Sequence, residues 1–155
     1  MDHFAFLDIE TSFSGTITVT GVFRPLIGSR QLVGDNNNKQ NILELLQGVK
    51  KIFTYNGSRF DFPVIQRFTG VNLGEVFEHR DLMFDCWSNN LYGGLKKVEM
   101  LLGISRDTEG ISGYDALLLW ESYIKGDRES LEVLLRYNRE DVENLEVLAK
   151  KLNII

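Results

Sequence analysis

Asp8 and Glu10 stand two positions apart at the end of a short apolar run, Phe4-Ala5-Phe6-Leu7-Asp8-Ile9. In a strand, residues i and i+2 project from one face, so both carboxylates point the same way. Like charges at that spacing repel unless a cation or a proton neutralises them. The alternative is that the strand simply ends there and both acids are solvated. A further acid, Asp61, closes the segment Asn56-Gly57-Ser58-Arg59-Phe60-Asp61, directly after the apolar stretch Ile52-Phe53-Thr54-Tyr55. The dipole of a helix beginning there favours an acid, and strand-to-helix junctions are also where open α/β sheets place their sites. The last cluster is Tyr137-Asn138-Arg139-Glu140-Asp141. Tyr137 and Asp141 lie one helical turn apart, and Leu145 and Leu148 continue the same face. Asp141 therefore borders a core-facing stripe, where an unpaired carboxylate is costly. Glu140, Glu143 and Glu146 fall elsewhere on that helix and read as solvated.

Acids drawn from an early strand, a middle helix start and a late helix, with a tyrosine one turn before the last, suit Mg²⁺. That ion takes a few carboxylates and keeps several waters. Zinc is a poorer fit, because His3, His79 and Cys86 share no ligand spacing.

The elements that must carry these residues are legible in outline. Phe4 to Ile9 reads as a buried strand, and Thr16-Ile17-Thr18-Val19-Thr20-Gly21-Val22 alternates and is β-branched, as a second strand would be. Gln31 to Gly34 reads as a third, ended by the polar cluster Asp35-Asn36-Asn37-Asn38. The three form an antiparallel meander. From Lys39 the period becomes helical through Ile42, Leu45, Leu46 and Val49, and Ile52 to Tyr55 is again a strand. Ser58 is a candidate cap for a helix carrying Phe62, Val64, Ile65 and Phe68, with Pro63 in its first turn. Asp81-Leu82-Met83-Phe84 reads as a fifth strand. Leu95 to Leu102 is helical and closed by Gly103. The tail from Ser130 to Leu152 is the clearest helix, its apolar stripe built from Leu131, Leu134, Leu135, Val142, Leu145, Leu148, Ala149 and Leu152. Strands first, then helices alternating with strands, predict one mixed α/β sheet with helices packed on it.

With 155 residues, 43% of them hydrophobic, the chain can bury a substantial core, and bulk disorder is excluded. No apolar run approaches the roughly 20 residues of a membrane-spanning helix. Met1-Asp2-His3-Phe4 carries an acid where a secretory signal carries basic residues. Cys86 is the single cysteine, so no internal disulfide forms. A cytoplasmic, single-domain protein is expected. The formal charge of −5 does not exclude a nucleic-acid partner, because carboxylates that hold cations count as negative in a metal-free sum.

Taken jointly and in order, Asp8-Ile9-Glu10, Asn56 through Asp61, and Tyr137 through Asp141 resemble the three exonuclease motifs of the DEDD superfamily, in its tyrosine-bearing (DEDDy) branch. Phe-Leu-Asp-Ile-Glu-Thr and Tyr-x-x-x-Asp are both intact, and Arg136 stands where the histidine branch carries its histidine. The resemblance spans essentially the whole chain and is nearest to small prokaryotic ribonuclease H-like domains, whose connecting segment Gly94 to Glu99 and Leu101 to Ile104 also resemble. It implies a ribonuclease H-like α/β fold, three antiparallel strands then parallel strands flanked by helices, as one exonuclease domain over residues 1–155. It implies Asp8, Glu10, Asp61 and Asp141 as ligands of two divalent ions, Mg²⁺ or Mn²⁺, with Tyr137 beside the attacking water. The activity implied is 3′–5′ exonucleolytic hydrolysis of phosphodiester bonds at the 3′ end of single-stranded DNA or RNA, by a two-metal-ion mechanism. A structure-selective endonuclease on the same fold and a catalytically silent nucleic-acid-binding or scaffold module are the alternatives.

Thr11, Ser12, Asn56 and Phe60 are candidate contacts to the terminal nucleotide, Phe60 by stacking on a base, with core packing as its other reading. Lys96 and Lys97 either meet phosphates or form a solvated corner. Asp81 and Asp85 read as strand-end acids, Trp87, Trp120 and Tyr92 as core or interface, and His3 and His79 as surface residues.

Overall fold

The computed structural model describes residues 3–155. The first half of the chain builds most of the sheet: β1 (Phe4–Thr11), β2 (Ile17–Arg24) and β3 (Gly28–Val33) pair as an antiparallel meander. A short 3-10 turn, Gly34–Asn36, and α1 (Lys39–Leu45) then return the chain to β4 (Lys51–Thr54), which pairs parallel to β1. Next come α2 (Asp61–Thr69), α3 (Leu73–Val76) and β5 (Glu78–Asp81), parallel to β4. The five strands lie in the order β3-β2-β1-β4-β5. Four helices complete the chain: α4 (Leu82–Ser88), α5 (Leu95–Leu102), α6 (Gly113–Ile124) and α7 (Arg128–Lys151). This is the mixed sheet expected, three antiparallel strands followed by parallel ones, with helices on its faces. No helix among the described residues is long and apolar enough to cross a membrane.

Alternation along β1 explains how the site is built. Ala5, Leu7 and Ile9 point to one face and pack in a core with Ile42, Leu46, Ile65 and Leu73, from the α1–α3 side. Phe4 and Phe6 point to the other, where Phe6 stacks on Phe53 at 5.1 Å and joins Val142, Leu145 and Leu148 of α7. Asp8 and Glu10 continue this second face by the same period-two rule. The apolar half of β1 thus anchors α7 by hydrophobic burial, and the acidic half meets whatever α7 carries next.

What α7 carries next is polar. Its buried positions run Leu134, Tyr137, Asn138, Asp141, Val142, Leu145, Leu148 and Ala149, a helical stripe interrupted by an amide and an acid. The helix rests on β2 at Gly21, which pairs with Asp8 across the ladder.

The structure corrects several expectations. Asp81 ends β5 and caps α4 by accepting from the Met83 N–H at 3.1 Å, so Leu82-Met83-Phe84 is the first turn of a helix and the fifth strand lies earlier, at Glu78–Asp81. Ser58 does not cap α2; Phe60 holds that position and the Ser58 hydroxyl donates to Asp81. Helices α3 and α6 were not anticipated, although Ser112 and Asp115 form a capping box that marks the start of α6. His79 is not a surface residue: it stacks on Phe62 at 3.9 Å and its Nε2 pairs with the Thr54 hydroxyl at 2.8 Å.

A Cβ at Gly21 would fall 2.1 Å from Asn138 Oδ1, so the contact with α7 depends on bare backbone. Gly21→Ala is expected to lower the urea-unfolding free energy by about 1–3 kcal/mol through overpacking. An unchanged midpoint would show that Asn138 steps aside freely.

Candidate active site

Asp8, Glu10 and Asp141 each offer a carboxylate oxygen, and these oxygens lie within 4.8 Å of one another. β1 supplies the first two from one face, and α7 supplies the third from the stripe it presses against that face. Asp141 is buried, whereas Asp8 and Glu10 are half-buried. The fourth acid of the sequence pattern, Asp61, opens α2, is buried, and accepts the Ile9 N–H through Oδ2 at 2.9 Å. It is not part of the close trio but lines the same cleft of about 360 Å³, together with Thr11, Tyr55, Asn56, Phe60, Leu95, Lys96, Leu117 and Tyr137.

Such a gathering raises the cost of ionisation. Burial pushes the Asp8 carboxyl well above the usual carboxylate range, and the charges of Asp141, Glu10 and Asp61 add to it. Burial and Asp141 push Glu10 up to about 8. Asp61 is pushed up to about 7 by burial, against the stabilising hydrogen bond from Ile9. A divalent cation would replace those protons, and an all-oxygen donor set without thiolate or imidazole fits Mg²⁺ or Mn²⁺.

Two cations of the chain already lean on Asp141. Lys96 Nζ lies 2.7 Å and an Arg106 guanidinium nitrogen 2.6 Å from Asp141 Oδ1. Both also lie against the Tyr137 ring, at 4.4 Å and 5.3 Å from its centroid. Lys96 is therefore no solvated corner; Lys97 is the exposed one of the two. Burial works against the Lys96 charge, yet Asp141 outweighs it and the ammonium is held above its ordinary pKa. Burial, then the Asp141 charge, also pushes the Tyr137 phenol up, so it stays protonated at neutral pH.

Sequence reasoning missed the supporting groups. Asn138 donates to both the Asp8 carbonyl oxygen at 3.2 Å and its carboxylate at 3.1 Å, and accepts from Gln31 on β3 at 3.0 Å. A polar residue within the α7 stripe was the available signal. Buried Glu99 accepts from Arg106 at 3.3 Å and from Asn144 at 2.8 Å, which fixes the arginine under Asp141. Nothing local in the sequence marks Arg106. Glu140 and Glu143 are not merely solvated: Glu140 accepts the Asp107 and Thr108 N–H groups, clamping the loop that carries Arg106, and Glu143 accepts the Ser29 hydroxyl.

The remaining candidates divide. Asn56 takes a left-handed backbone, φ 61°, and its amide oxygen is buried with no partner among the described residues. Phe60 is 36% exposed, not core. Ser12 lies in the β1–β2 turn, where its hydroxyl accepts the Thr16 N–H, and does not line the cleft. Asp85 pairs with Arg80 at 2.8 Å.

A family model of the RNase H superfamily matches residues 5–153. No curated protein matches the chain. Among solved structures, the chain is similar to the family B DNA polymerase of the hyperthermophilic archaeon Pyrobaculum calidifontis, with a TM-score of 0.72 and 16% identity over 98% of this chain. The chain spans 24% of that polymerase.

The raised carboxyl groups have a measurable consequence. Their protons are bound more tightly in the folded state than in the unfolded chain, where such groups titrate near 4. The stability they contribute is complete below that range and is lost as pH rises through about 7 to 8. The metal-free protein is expected to melt at progressively lower temperature from pH 5 to pH 9, and Asp8→Asn to flatten that slope. Mn²⁺ should raise the melting temperature most at the alkaline end. A metal-free profile rising with pH would contradict the repulsion.

Proposed function

The chain belongs to the RNase H superfamily, and we propose from its site that it is a DEDDy-type 3′–5′ exonuclease acting on single-stranded DNA or RNA, with residues 1–155 forming one exonuclease domain. The observation that carries the proposal is the convergence of Asp8, Glu10 and Asp141 within 4.8 Å, at a cleft that also holds Asp61 and Tyr137.

Asp8, Glu10 and Asp141, joined by Asp61, would hold two divalent cations, Mg²⁺ or Mn²⁺. Bound there, they supply Lewis-acid chemistry, acidifying water and stabilising charge on the phosphate and leaving oxygens. Tyr137, kept protonated, donates a hydrogen bond that orients the attacking water or the scissile phosphate. It does not serve as a base. Lys96 Nζ, partly exposed beside Asp141, offers a positive charge to the same phosphate. Asn56 brings an unpartnered buried amide to the cleft wall, a group that a nucleotide would satisfy. Phe60 offers a partly exposed ring to the terminal base, and Thr11 follows Glu10 at the cleft edge.

With Mg²⁺ or Mn²⁺, a 5′-labelled single strand is expected to shorten stepwise from its 3′ end. Asp8→Asn should slow this by at least about 10³-fold through lost cation binding. Tyr137→Phe should slow it by about 10²-fold while leaving the Mn²⁺-induced thermal shift in place. Internal cuts would favour a structure-selective endonuclease on the same fold. No degradation of DNA or RNA with either ion would favour a silent binding module.

A further inference from the structure

Helix α4 buries Leu82, Met83 and Cys86 and leaves two large rings outside every hydrophobic cluster among the described residues. Phe84 and Trp87, one turn apart, meet edge to face at 5.3 Å, and Phe84 is 41% exposed. The exposed guanidinium of Arg59 covers both, 5.7 Å from the Phe84 centroid and 5.2 Å from that of Trp87. Among the described residues Arg59 has no carboxylate partner, whereas the neighbouring acid on α4, Asp85, is neutralised by both arms of Arg80.

This cluster is tied rigidly to the cleft. Arg59 precedes Phe60 and Asp61, both of which line it. Asp81, the cap of α4, accepts the N–H groups of Asn56 and Ser58 at 2.8 and 3.2 Å, locking the helix to the loop that enters the site. A guanidinium without a carboxylate partner beside partly exposed aromatic rings is the chemistry that grips a phosphodiester chain and stacks its unpaired bases.

We propose that Arg59, Phe84 and Trp87 form a stacking subsite for a nucleotide upstream of the terminal one, selecting single-stranded nucleic acid. This rests on the nuclease reading of the adjacent cleft. A strand whose 3′ end enters past Phe60 runs out over Arg59, which takes a phosphate while a base packs on the exposed Phe84 ring and the half-buried Trp87 beside it. Duplex bases, already stacked, offer no such face.

Two measurements test it separately from the catalytic reading. The first compares kcat/KM on a 5′-labelled thymidine oligonucleotide with that on the p-nitrophenyl ester of thymidine 5′-monophosphate, which has no upstream nucleotide. Arg59→Ala and Trp87→Ala are each expected to lower the oligonucleotide-to-ester ratio by about 5- to 100-fold. An unchanged ratio overturns the subsite. The second uses Trp120→Phe, in which Trp87 is the remaining one of the two tryptophans. Single-stranded oligonucleotide should quench its emission, and Arg59→Ala in that background should weaken the titration. Absent quenching, or equal quenching by duplex, overturns the proposal. Should the wild type hydrolyse neither substrate, the nuclease reading fails and the fluorescence titration alone decides the subsite.

Discussion

Three carboxylates brought within 4.8 Å of one another set the terms for the rest of the molecule. Fully ionised, each pair repels by about 3 kcal/mol at an effective dielectric of about 20, more than one ordinary hydrogen bond of about 1 kcal/mol offsets. The fold answers this repulsion three ways. Hydrophobic burial on either side of the acids forces the approach: the Phe4, Phe6 and Phe53 cluster against Val142, Leu145 and Leu148 at one end, and Val19 with Leu134 at the other. Fixed cations, Lys96 and Arg106, take up the charge of Asp141. Protons take up what remains on Asp8 and Glu10: burial pushes both carboxyl groups up, and the charge of Asp141 adds to each. Only the last of these is exchangeable, which makes it the place a divalent ion could take.

The second consequence is a division of labour between rigid and local structure. Asp8, Glu10 and Asp141 sit on regular elements whose positions are set by core packing. A single row across the sheet, Gln31, Gly21 and Asp8, is spanned by Asn138, which accepts from the first, lies over the bare backbone of the second and donates to the third. Three strands and a helix are thereby registered at the acid. Asn56, Arg59 and Phe60 instead occupy the loop before α2, and its conformation is held by Asp81 through the backbone N–H groups of Asn56 and Ser58. Geometry that must be exact to a fraction of an ångström is carried by the sheet; surfaces that meet a polymer are carried by the loop.

Much of this was legible because it is periodic. The period-two run of β1 and the helical stripe of α7 are one-dimensional patterns, and Asp8, Glu10 and Asp141 show up as polar breaks in them. The antiparallel meander and the mixed sheet followed from strands preceding alternating helices; the order β3-β2-β1-β4-β5 did not. What periodicity does not carry is pairing across the fold. Lys96 reaches Asp141 across 45 residues, Arg106 reaches it across 35, and Asn138 reaches Asp8 across 130. None has a local signature, so Lys96 read first as a solvated corner and Arg106 was invisible. Asp81 misled for a different reason: an acid before an apolar triplet fits a strand end and a helix cap equally, and the bonds that hold its carboxylate in place beside the local cap come from Asn56 and Ser58, more than 20 residues away. His79 was misread because its partners, Phe62 and Thr54, come together only when α2 packs on the parallel strands.

The setting of Tyr137 constrains how proton transfer can be arranged at such a site. Its ring lies against two cations, which favour an electron-rich aromatic face, and its hydroxyl is buried beside the charge of Asp141, which disfavours phenolate. Burial and Asp141 outweigh the pull of Lys96 toward phenolate, and the hydroxyl stays a donor. Lys96 and Arg106 are donors as well, each held in its charged form by Asp141. Around Asp141, then, the phenol and the two cations keep their protons, and the exchangeable ones sit on Asp8 and Glu10. On the proposed nuclease reading, a water attacking phosphorus in this cleft would find no base in Tyr137 or Lys96; it would be acidified by a bound cation and oriented by groups that remain donors. The cost of gathering the acids would thus be the same feature that gives an exchangeable cation its place in the chemistry.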